Sequence, residues 1–173
     1  QFSKKKNSPI SIELIISDNS KAKGLKFGRI FKIPKKVFNY KNKILTEKKI
    51  ISKIENKKIK LICLAGFMKI LSKNFIKSFG KKIINIHPSL LPKFKGLNTF
   101  SRIIKNKEAK TGCTVHFVNE NLDAGKIITQ KSFFLNKDDN IEVLKKKTQK
   151  LEYLAFPEAI IKIFRNIKTW KKN

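Results

Sequence analysis

The sequence predicts an α/β fold in which a mostly parallel sheet has helices on both faces and ends in an antiparallel hairpin. Three observations predict it. Several apolar runs are nearly continuous, which is typical of strands covered on both faces. Helical patterns alternate with the early runs, as they do where crossover helices join parallel strands. The last two runs are joined by the short polar segment ENLDAG, which has no room for a helix and therefore predicts a hairpin.

The individual elements follow from local patterns. Five runs are predicted to be strands, at residues 10–17, 60–67, 82–87, 113–119 and 126–135. A helix is predicted over 46–58, where Ile50, Ile51 and Ile54 share one face. A second helix is predicted over 72–79, with Ser72 as its N-cap and Gly80 as its stop.

A longer helical segment is predicted from Asp139 to Lys168. Asp139 followed by Glu142 three residues later has the pattern of a capping box. Pro157 lies inside this segment, and because proline lacks the backbone N–H it is expected to kink the helix or divide it in two.

Length and composition bound the function classes. The 173 residues have the size of one domain, so residues 1–173 are expected to form a single domain. The net charge of +29 is compatible with a nucleic-acid or membrane partner, but only three of the 41 basic residues are arginines, and the lysines are dispersed. Compositional drift in an AT-rich genome accounts for this charge better, and we expect no specific nucleic-acid partner.

Cys63 and Cys113 lie in apolar runs without metal-ligand spacing, so they are expected to be buried free thiols in a reducing cytoplasm, and no metal site is predicted. The longest apolar runs fall short of the roughly 20 residues that span a bilayer, and the first ten residues lack the apolar stretch of a signal peptide. We therefore expect a soluble cytoplasmic protein without a membrane partner.

The segment NIHPSLLP places His87 between an apolar strand and Pro88. Proline holds the preceding residue in an extended conformation, so the imidazole is expected at the carboxyl end of a strand, where open α/β sheets bind ligands. Asn85 lies two residues earlier and shares the same face. Taken alone, such a histidine is more often a satisfied surface side chain than a catalyst.

Three motifs in order resemble glycinamide ribonucleotide formyltransferase. They are LAGFMKIL at 64–71, NIHPSLLPKFKGLNT at 85–99 and GCTVHFVNENLDAGKIITQ at 112–130. The resemblance runs from about Lys43 to Pro157. It implies a Rossmann-like formyltransferase fold, transfer of a formyl group from 10-formyltetrahydrofolate to glycinamide ribonucleotide in purine biosynthesis, and a monomer or homodimer.

The resemblance implies that Asn85, His87 and Asp123 are catalytic, with Thr114 near the proton path and His116 as structural support. The chemistry requires these residue types, because a tetrahedral oxyanion needs donors already in place. Asp123 beside His87 is expected to raise the pKa of that ring. Read without the resemblance, Asp123 would be an ordinary turn residue ahead of Gly125.

The resemblance also implies two binding sets. Residues expected to bind the folate are Lys43, Met68, Lys69, Ile70, Leu71, Asn85, Asn119, Glu120, Asn121, Leu122 and Asp123. Residues expected to bind the nucleotide substrate are Gln149, Lys150, Leu151 and Glu152. The segment 68–71 could equally be the end of a core strand, and the two interpretations are compatible because ligand pockets are largely apolar.

Members of the resembled family begin with a strand and a glycine-rich phosphate loop, which this sequence does not contain, so we expect the chain to be truncated at its start. Three alternatives remain open. Formyltetrahydrofolate deformylase typically reads NIHHSFLP instead of NIHPSLLP, and methionyl-tRNA formyltransferase reads HASLLP and needs a further carboxyl-terminal domain. A basic nucleic-acid-associated protein is the alternative that is not an enzyme.

Overall fold

A computed structural model describes residue 8 and residues 10–169, which fall into two compact units. The first unit takes the residues up to Lys60 together with Leu71–Gly80, and the second takes Leu61–Ile70 and the residues from Lys81 onward. Among the described residues, none of the helices has the length and apolar character of a membrane span.

The first unit contains a two-stranded parallel sheet and three α-helices. Its elements are β1 (Ile15–Ser17), α1 (Lys26–Ile30), β2 (Lys35–Val37), α2 (Lys43–Glu55) and α3 (Lys73–Phe79), with β1 paired to β2. The predicted boundaries of α3 are confirmed. The Ser72 hydroxyl accepts a hydrogen bond from the N–H of Phe75 at 3.0 Å, and Gly80 ends the helix in the left-handed conformation with φ of 59°.

The second unit is built on a four-stranded sheet. Its elements are β3 (Leu61–Leu64), β4 (Lys82–His87), α4 (Thr99–Lys105), β5 (Lys110–Phe117), β6 (Ile127–Phe134) and α5 (Ile141–Thr169). The strands lie in chain order, with β3 and β4 parallel and the pairs β4–β5 and β5–β6 antiparallel. This arrangement confirms the α/β class and the late hairpin.

Helix α5 covers one face of this sheet. Ile84, Cys113 and Val115 pack there against Ala155, Ala159 and Ile163 of the helix. Because side chains alternate along a strand, Asn85 and His87 of β4 point to the opposite face, as do Thr114 and His116 of β5. Since α5 covers one face of the sheet, the polar residues of β4 and β5 lie together on its other face.

For α5, one of the two outcomes expected at Pro157 is excluded, and the expected cap is wrong. The helix runs through Pro157 as one element, so the proline does not divide it. Proline costs one helical hydrogen bond, and packing of the flanking Ala155 and Ala159 against the sheet offsets that loss. Asp139 is not the cap either, because the Asn140 side chain accepts from the N–H of Val143 at 3.0 Å.

Other boundaries also differ from expectation. The first predicted strand is reduced to Ile15–Ser17, and the short elements α1, β2 and α4 were not predicted. Cys113 is buried as expected, whereas Cys63 is exposed. Cys63 lies on β3, which is an edge strand of its sheet and is therefore less covered than a central strand.

Candidate active site

The three residues predicted to be catalytic lie close together in the second unit. Asn85 and His87 lie at the carboxyl end of β4. They pair with His116 and Thr114, respectively, of the neighbouring strand. Asp123 lies in the connection between β5 and β6, in the left-handed conformation with φ of 47°. Aspartate is among the residues that tolerate this conformation, and it turns the carboxylate back toward β4.

Both ring nitrogens of His87 have partners within the chain. Nε2 lies 2.8 Å from the carbonyl oxygen of Phe94, and Nδ1 lies 3.3 Å from Oδ2 of Asp123. The His87 and Asp123 side chains are only 7% and 8% exposed. The Phe94 carbonyl and the ionised Asp123 carboxylate can both only accept a hydrogen bond. Because the contact with Phe94 is the shorter of the two, we place the proton of the neutral ring on Nε2 and its lone pair on Nδ1.

Asp123 joins several groups through its two carboxylate oxygens. Oδ2 also accepts from the backbone N–H of Gly96 at 2.9 Å, and Oδ1 lies 3.5 Å from Nε2 of His116. The carboxylate therefore lies between the two histidines of the chain and is fixed by a backbone donor.

His116 orients the amide of Asn85. Its Nδ1 donates to the carbonyl oxygen of Phe117 at 2.8 Å, so Nε2 of the neutral ring is an acceptor. The Nδ2 atom of Asn85 lies 3.4 Å from that acceptor. One N–H of the amide points to His116, and the other stays available for a ligand.

The pKa values of the pair depend on burial as well as on charge. Burial lowers the pKa of His87 below 6.5, and this effect outweighs the hydrogen bond to Phe94 and the charge of Asp123, which both raise it. Asp123 therefore raises the pKa of His87 as expected, but burial, which the sequence did not indicate, is the larger effect. Burial alone would raise the pKa of Asp123, but the side chain of His116 and the N–H of Gly96 together bring that pKa below 3.8.

The hydroxyl of Thr114 uses its full hydrogen-bonding capacity inside the protein. It donates to the carbonyl oxygen of Ser89 at 2.6 Å and accepts from the N–H of Leu91 at 3.0 Å and from Nε2 of Gln130 at 2.9 Å. Thr114 has no exposed surface. Since its single proton is already donated, this geometry favours a role in holding the chain around Leu91 over a role in carrying protons.

Residues 88–98, here called the site loop, connect β4 to α4. The loop supplies both the Phe94 carbonyl and the Gly96 N–H that contact the His87–Asp123 pair. Its residues Phe94, Gly96 and Asn98 have positive φ values of 58°, 79° and 55°. Only the glycine adopts this conformation without steric cost.

The predicted folate residues lie in both units. Met68 and Ile70 are among the exposed large hydrophobic residues of the second unit, and so is Leu122 on the turn before Asp123. Asn119 and Asn121 form a local turn in which the Asn119 side chain accepts from the N–H of Asn121. Lys69 and Glu120 of the second unit are also exposed. In the first unit, Lys43 is exposed and Leu71 is buried.

The predicted substrate residues Gln149–Glu152 form one turn of α5. Among the described residues, no hydrogen bond links this turn to the catalytic trio, and the helix packs on the opposite face of the sheet. Gln149 and Lys150 are exposed, and Leu151 and Glu152 are half-buried. Burial raises the pKa of the Glu152 carboxyl.

Several residues of this site were not singled out from the sequence as part of it. They are Ser89, Phe94, Gly96, Arg102 and Gln130. Phe94 and Gly96 contact the site with their main-chain atoms, and Arg102 bonds to main-chain oxygens. A sequence motif of side chains does not indicate such contacts. Gln130 is the last residue of the third motif. Its position on the next strand, directly opposite Thr114, could have identified it as part of the site. No group of three or more potential metal ligands occurs within the part of the chain that the structure describes.

Comparisons with known proteins identify the family of this chain. The sequence profile described as formyl transferase matches residues 1–160. The phosphoribosylglycinamide formyltransferase of Haemophilus influenzae is 40% identical over 155 residues, which cover 88% of this chain and 73% of the relative. The human trifunctional purine biosynthetic protein adenosine-3 is 39% identical over 157 residues, 89% of this chain but only 16% of that protein.

Solved structures give the same result. The crystal structure of phosphoribosylglycinamide formyltransferase from Anaplasma phagocytophilum aligns with a TM-score of 0.87 and 35% identity, covering 95% of this chain and 78% of that chain. The sequence and structure comparisons therefore agree on the family. The chain belongs to the formyl transferase family, among its phosphoribosylglycinamide formyltransferases.

Proposed function

We propose that this chain transfers a formyl group from 10-formyltetrahydrofolate to the amine of glycinamide ribonucleotide, a step of purine biosynthesis. The observation that carries the proposal is the cluster of Asn85, His87 and Asp123 at the carboxyl end of β4, in a chain of this family. An amide donor, an imidazole with a low pKa and a carboxylate are what acyl transfer to an amine requires.

His87 is the proton carrier in this proposal. When the substrate amine attacks the formyl carbon, a new C–N bond forms and the amine must lose a proton. With the proton of the neutral ring on Nε2, the base is Nδ1, which lies 3.3 Å from Asp123, and burial of the ring lowers its pKa and so favours the neutral form. The carboxylate stabilises the imidazolium that forms, and the same proton then passes to the folate nitrogen as its bond to the formyl carbon breaks.

Asn85 is the oxyanion donor. Attack on the formyl carbonyl converts its oxygen to an oxyanion, which needs a donor that does not have to reorient. The bond to His116 fixes the amide plane of Asn85 and leaves one N–H uncommitted. The substrate must approach the uncommitted N–H of Asn85 and the Nδ1 atom of His87 from the same side. On binding, it would displace the longer of the two His87 contacts, which joins Nδ1 to Asp123.

The two binding sets remain proposals. Exposed apolar side chains at Met68, Ile70 and Leu122 suit a flat pterin ring, and the backbone of 119–123 suits its hydrogen-bonding edge. Glu152, with Gln149, Lys150 and Leu151 beside it, is proposed to contact the ribose of the nucleotide. Lys43 is proposed to face the glutamate tail of the folate.

Several broader expectations are proposals too. We propose a cytoplasmic enzyme made of one formyltransferase domain, acting as a monomer or homodimer on small-molecule substrates, without a metal or a specific nucleic-acid partner. The matches named above favour glycinamide ribonucleotide as acceptor over water or methionyl-tRNA.

The test is to supply the protein with both substrates and to follow the formylated nucleotide and free formate by mass spectrometry. We expect formylated nucleotide, and Asn85→Ala is expected to lower its rate of formation. Asn56→Ala is the matched control, because Asn56 is an exposed residue at the end of α2. Release of formate without nucleotide product would identify a deformylase instead, and an unaffected Asn85→Ala variant would remove this cluster from the reaction.

A further inference from the structure

The site loop determines the state of the His87–Asp123 pair. Its Phe94 carbonyl accepts the Nε2 proton of His87, and its Gly96 N–H donates to Asp123. A shift of the loop would release both contacts at once. The Phe94 carbonyl and the Asp123 carboxylate compete for the proton of the neutral His87 ring, so whatever holds the loop at its 2.8 Å contact favours the proton on Nε2.

The loop is not expected to hold this shape without help. Phe94 has a φ of 58°, which is an unfavourable conformation for a bulky side chain. It is this conformation that directs the Phe94 carbonyl to His87. Contacts from outside the loop must therefore stabilise it.

One such contact comes from β6. The side-chain nitrogen of Gln130 donates to the carbonyl oxygen of Leu91 at 2.9 Å and to the hydroxyl of Thr114 at 2.9 Å. Thr114 in turn bonds the backbone of Ser89 and Leu91. The first half of the loop is thus fastened to the sheet through a side chain on β6.

The other contact comes from α4. Arg102 donates from Nη1 to the carbonyl oxygen of Lys95 at 2.6 Å and lies 3.4 Å from that of Leu97, and its guanidinium is 5.5 Å from the centre of the Phe94 ring. Arg102 is one of only three arginines in a chain rich in lysine. A lysine at this position could keep the charge but could not reproduce the planar guanidinium that bonds the backbone and lies over the ring.

We propose that Gln130 and Arg102 are positioning residues that hold the site loop at its two ends, so that the Phe94 carbonyl keeps the proton of neutral His87 on Nε2 and leaves Nδ1 as the base. The groups that face His87 are Asp123, His116 and Arg102, besides the Phe94 carbonyl. The expected change in turnover rests on the proposed function, whereas the expected change in the tautomer of His87 does not.

The test begins with the ring itself, in the protein without substrate. The chain contains only two histidines, so long-range proton–nitrogen NMR spectra can assign the tautomer of each ring. Neutral His87 is expected in the Nε2–H form. Gln130→Met and Arg102→Lys are each expected to reduce the share of that form, while Arg29→Lys, on an exposed residue of α1, is expected to leave it unchanged.

Turnover is the second readout. Gln130→Met and Arg102→Lys are expected to lower kcat about tenfold or more, with the KM for formyl folate changed by less than about twofold, because a small displacement of a catalytic group affects the reacting geometry more than binding. The charge of Arg102 lowers the pKa of His87. Arg102→Gln should therefore also shift the acid limb of the pH–rate profile to higher pH, whereas Arg102→Lys should not.

Two outcomes would overturn the inference. One is a wild-type His87 whose neutral form has its proton on Nδ1. The other is an Arg102→Lys or Gln130→Met variant with wild-type tautomer and wild-type kcat. Failure of the proposed function is distinguishable from either, because a wild-type protein that transfers no formyl group would still show whether the loop sets the tautomer.

Discussion

Replacing Thr114 by valine should destabilise the fold of the second unit more than replacing it by serine. Valine has nearly the same shape as threonine but no hydroxyl. The change leaves the Leu91 N–H without its acceptor and the Ser89 carbonyl without its donor, both in a region where Ser89 has no exposed surface and Leu91 is 6% exposed. Gln130 keeps its other bond, to the carbonyl oxygen of Leu91.

The size of the effect follows from these two orphaned groups. A buried polar group left without a partner costs about 1–3 kcal/mol, so two of them cost about 2–6 kcal/mol. The added methyl group of valine returns about 0.8 kcal/mol. Thr114→Ser keeps the hydroxyl and loses one methyl group, which costs about 1 kcal/mol. Thr114→Val should therefore be the less stable of the two variants by about 0.2–4 kcal/mol.

Urea unfolding followed by far-ultraviolet circular dichroism measures this difference. The slope of the free energy of unfolding with urea should be the same for both variants, so that the midpoints report stability. If Thr114→Val is as stable as Thr114→Ser, the hydroxyl does not hold the loop. The hydrogen bonds around Leu91 would then contribute little to stability, and a role of Thr114 in proton transfer would be favoured instead.

Three further outcomes follow from the site. Asp123→Asn keeps the shape of the side chain and tolerates the positive φ, but it removes a negative charge that raises the pKa of His87. Turnover should therefore fall, and the acid limb of the pH–rate profile should move to lower pH. An unmoved limb would contradict the pairing. Asn85→Ala should lower kcat by roughly a hundredfold, the usual scale for one oxyanion donor, and single-turnover kinetics would measure it. Gly125→Ala should destabilise strongly, because a Cβ there would lie 1.8 Å from the carbonyl oxygen of Phe117; Gly24→Ala, with open space around it, should be nearly neutral in thermal unfolding.

Elements with strong local signals could be predicted from the sequence. The boundaries of β4 agree residue for residue, since an apolar run before a proline has few alternative interpretations. The N-cap of α3 at Ser72 and its stop at Gly80 were also local. Short elements such as α1 could not be predicted, because five residues contain too few turns to show a helical period. Of the two outcomes predicted for Pro157, division of the helix did not occur, because packing against the sheet outweighed a local helix breaker.

The catalytic trio was accessible to sequence reasoning because its residues lie in recognisable motifs at strand ends. The electrostatics of His87 were not, because its pKa depends on how deeply the fold buries the ring. The role of Thr114 was also inaccessible. Its partners come from the site loop and from β6, and nothing in the local sequence shows that they converge on one hydroxyl.

The contacts that hold the site loop have a consequence for mutational tolerance. They end almost entirely on main-chain atoms, namely the carbonyls of Ser89, Leu91, Phe94, Lys95 and Leu97 and the N–H groups of Leu91 and Gly96. Such contacts do not depend on which side chain the loop residue carries. Positions such as Lys95 can therefore exchange side chains, as in a genome whose codons drift toward lysine, while the geometry around His87 is preserved. Proline is excluded at Leu91 and Gly96, since it has no N–H to donate, and position 96 also favours glycine because of its positive φ.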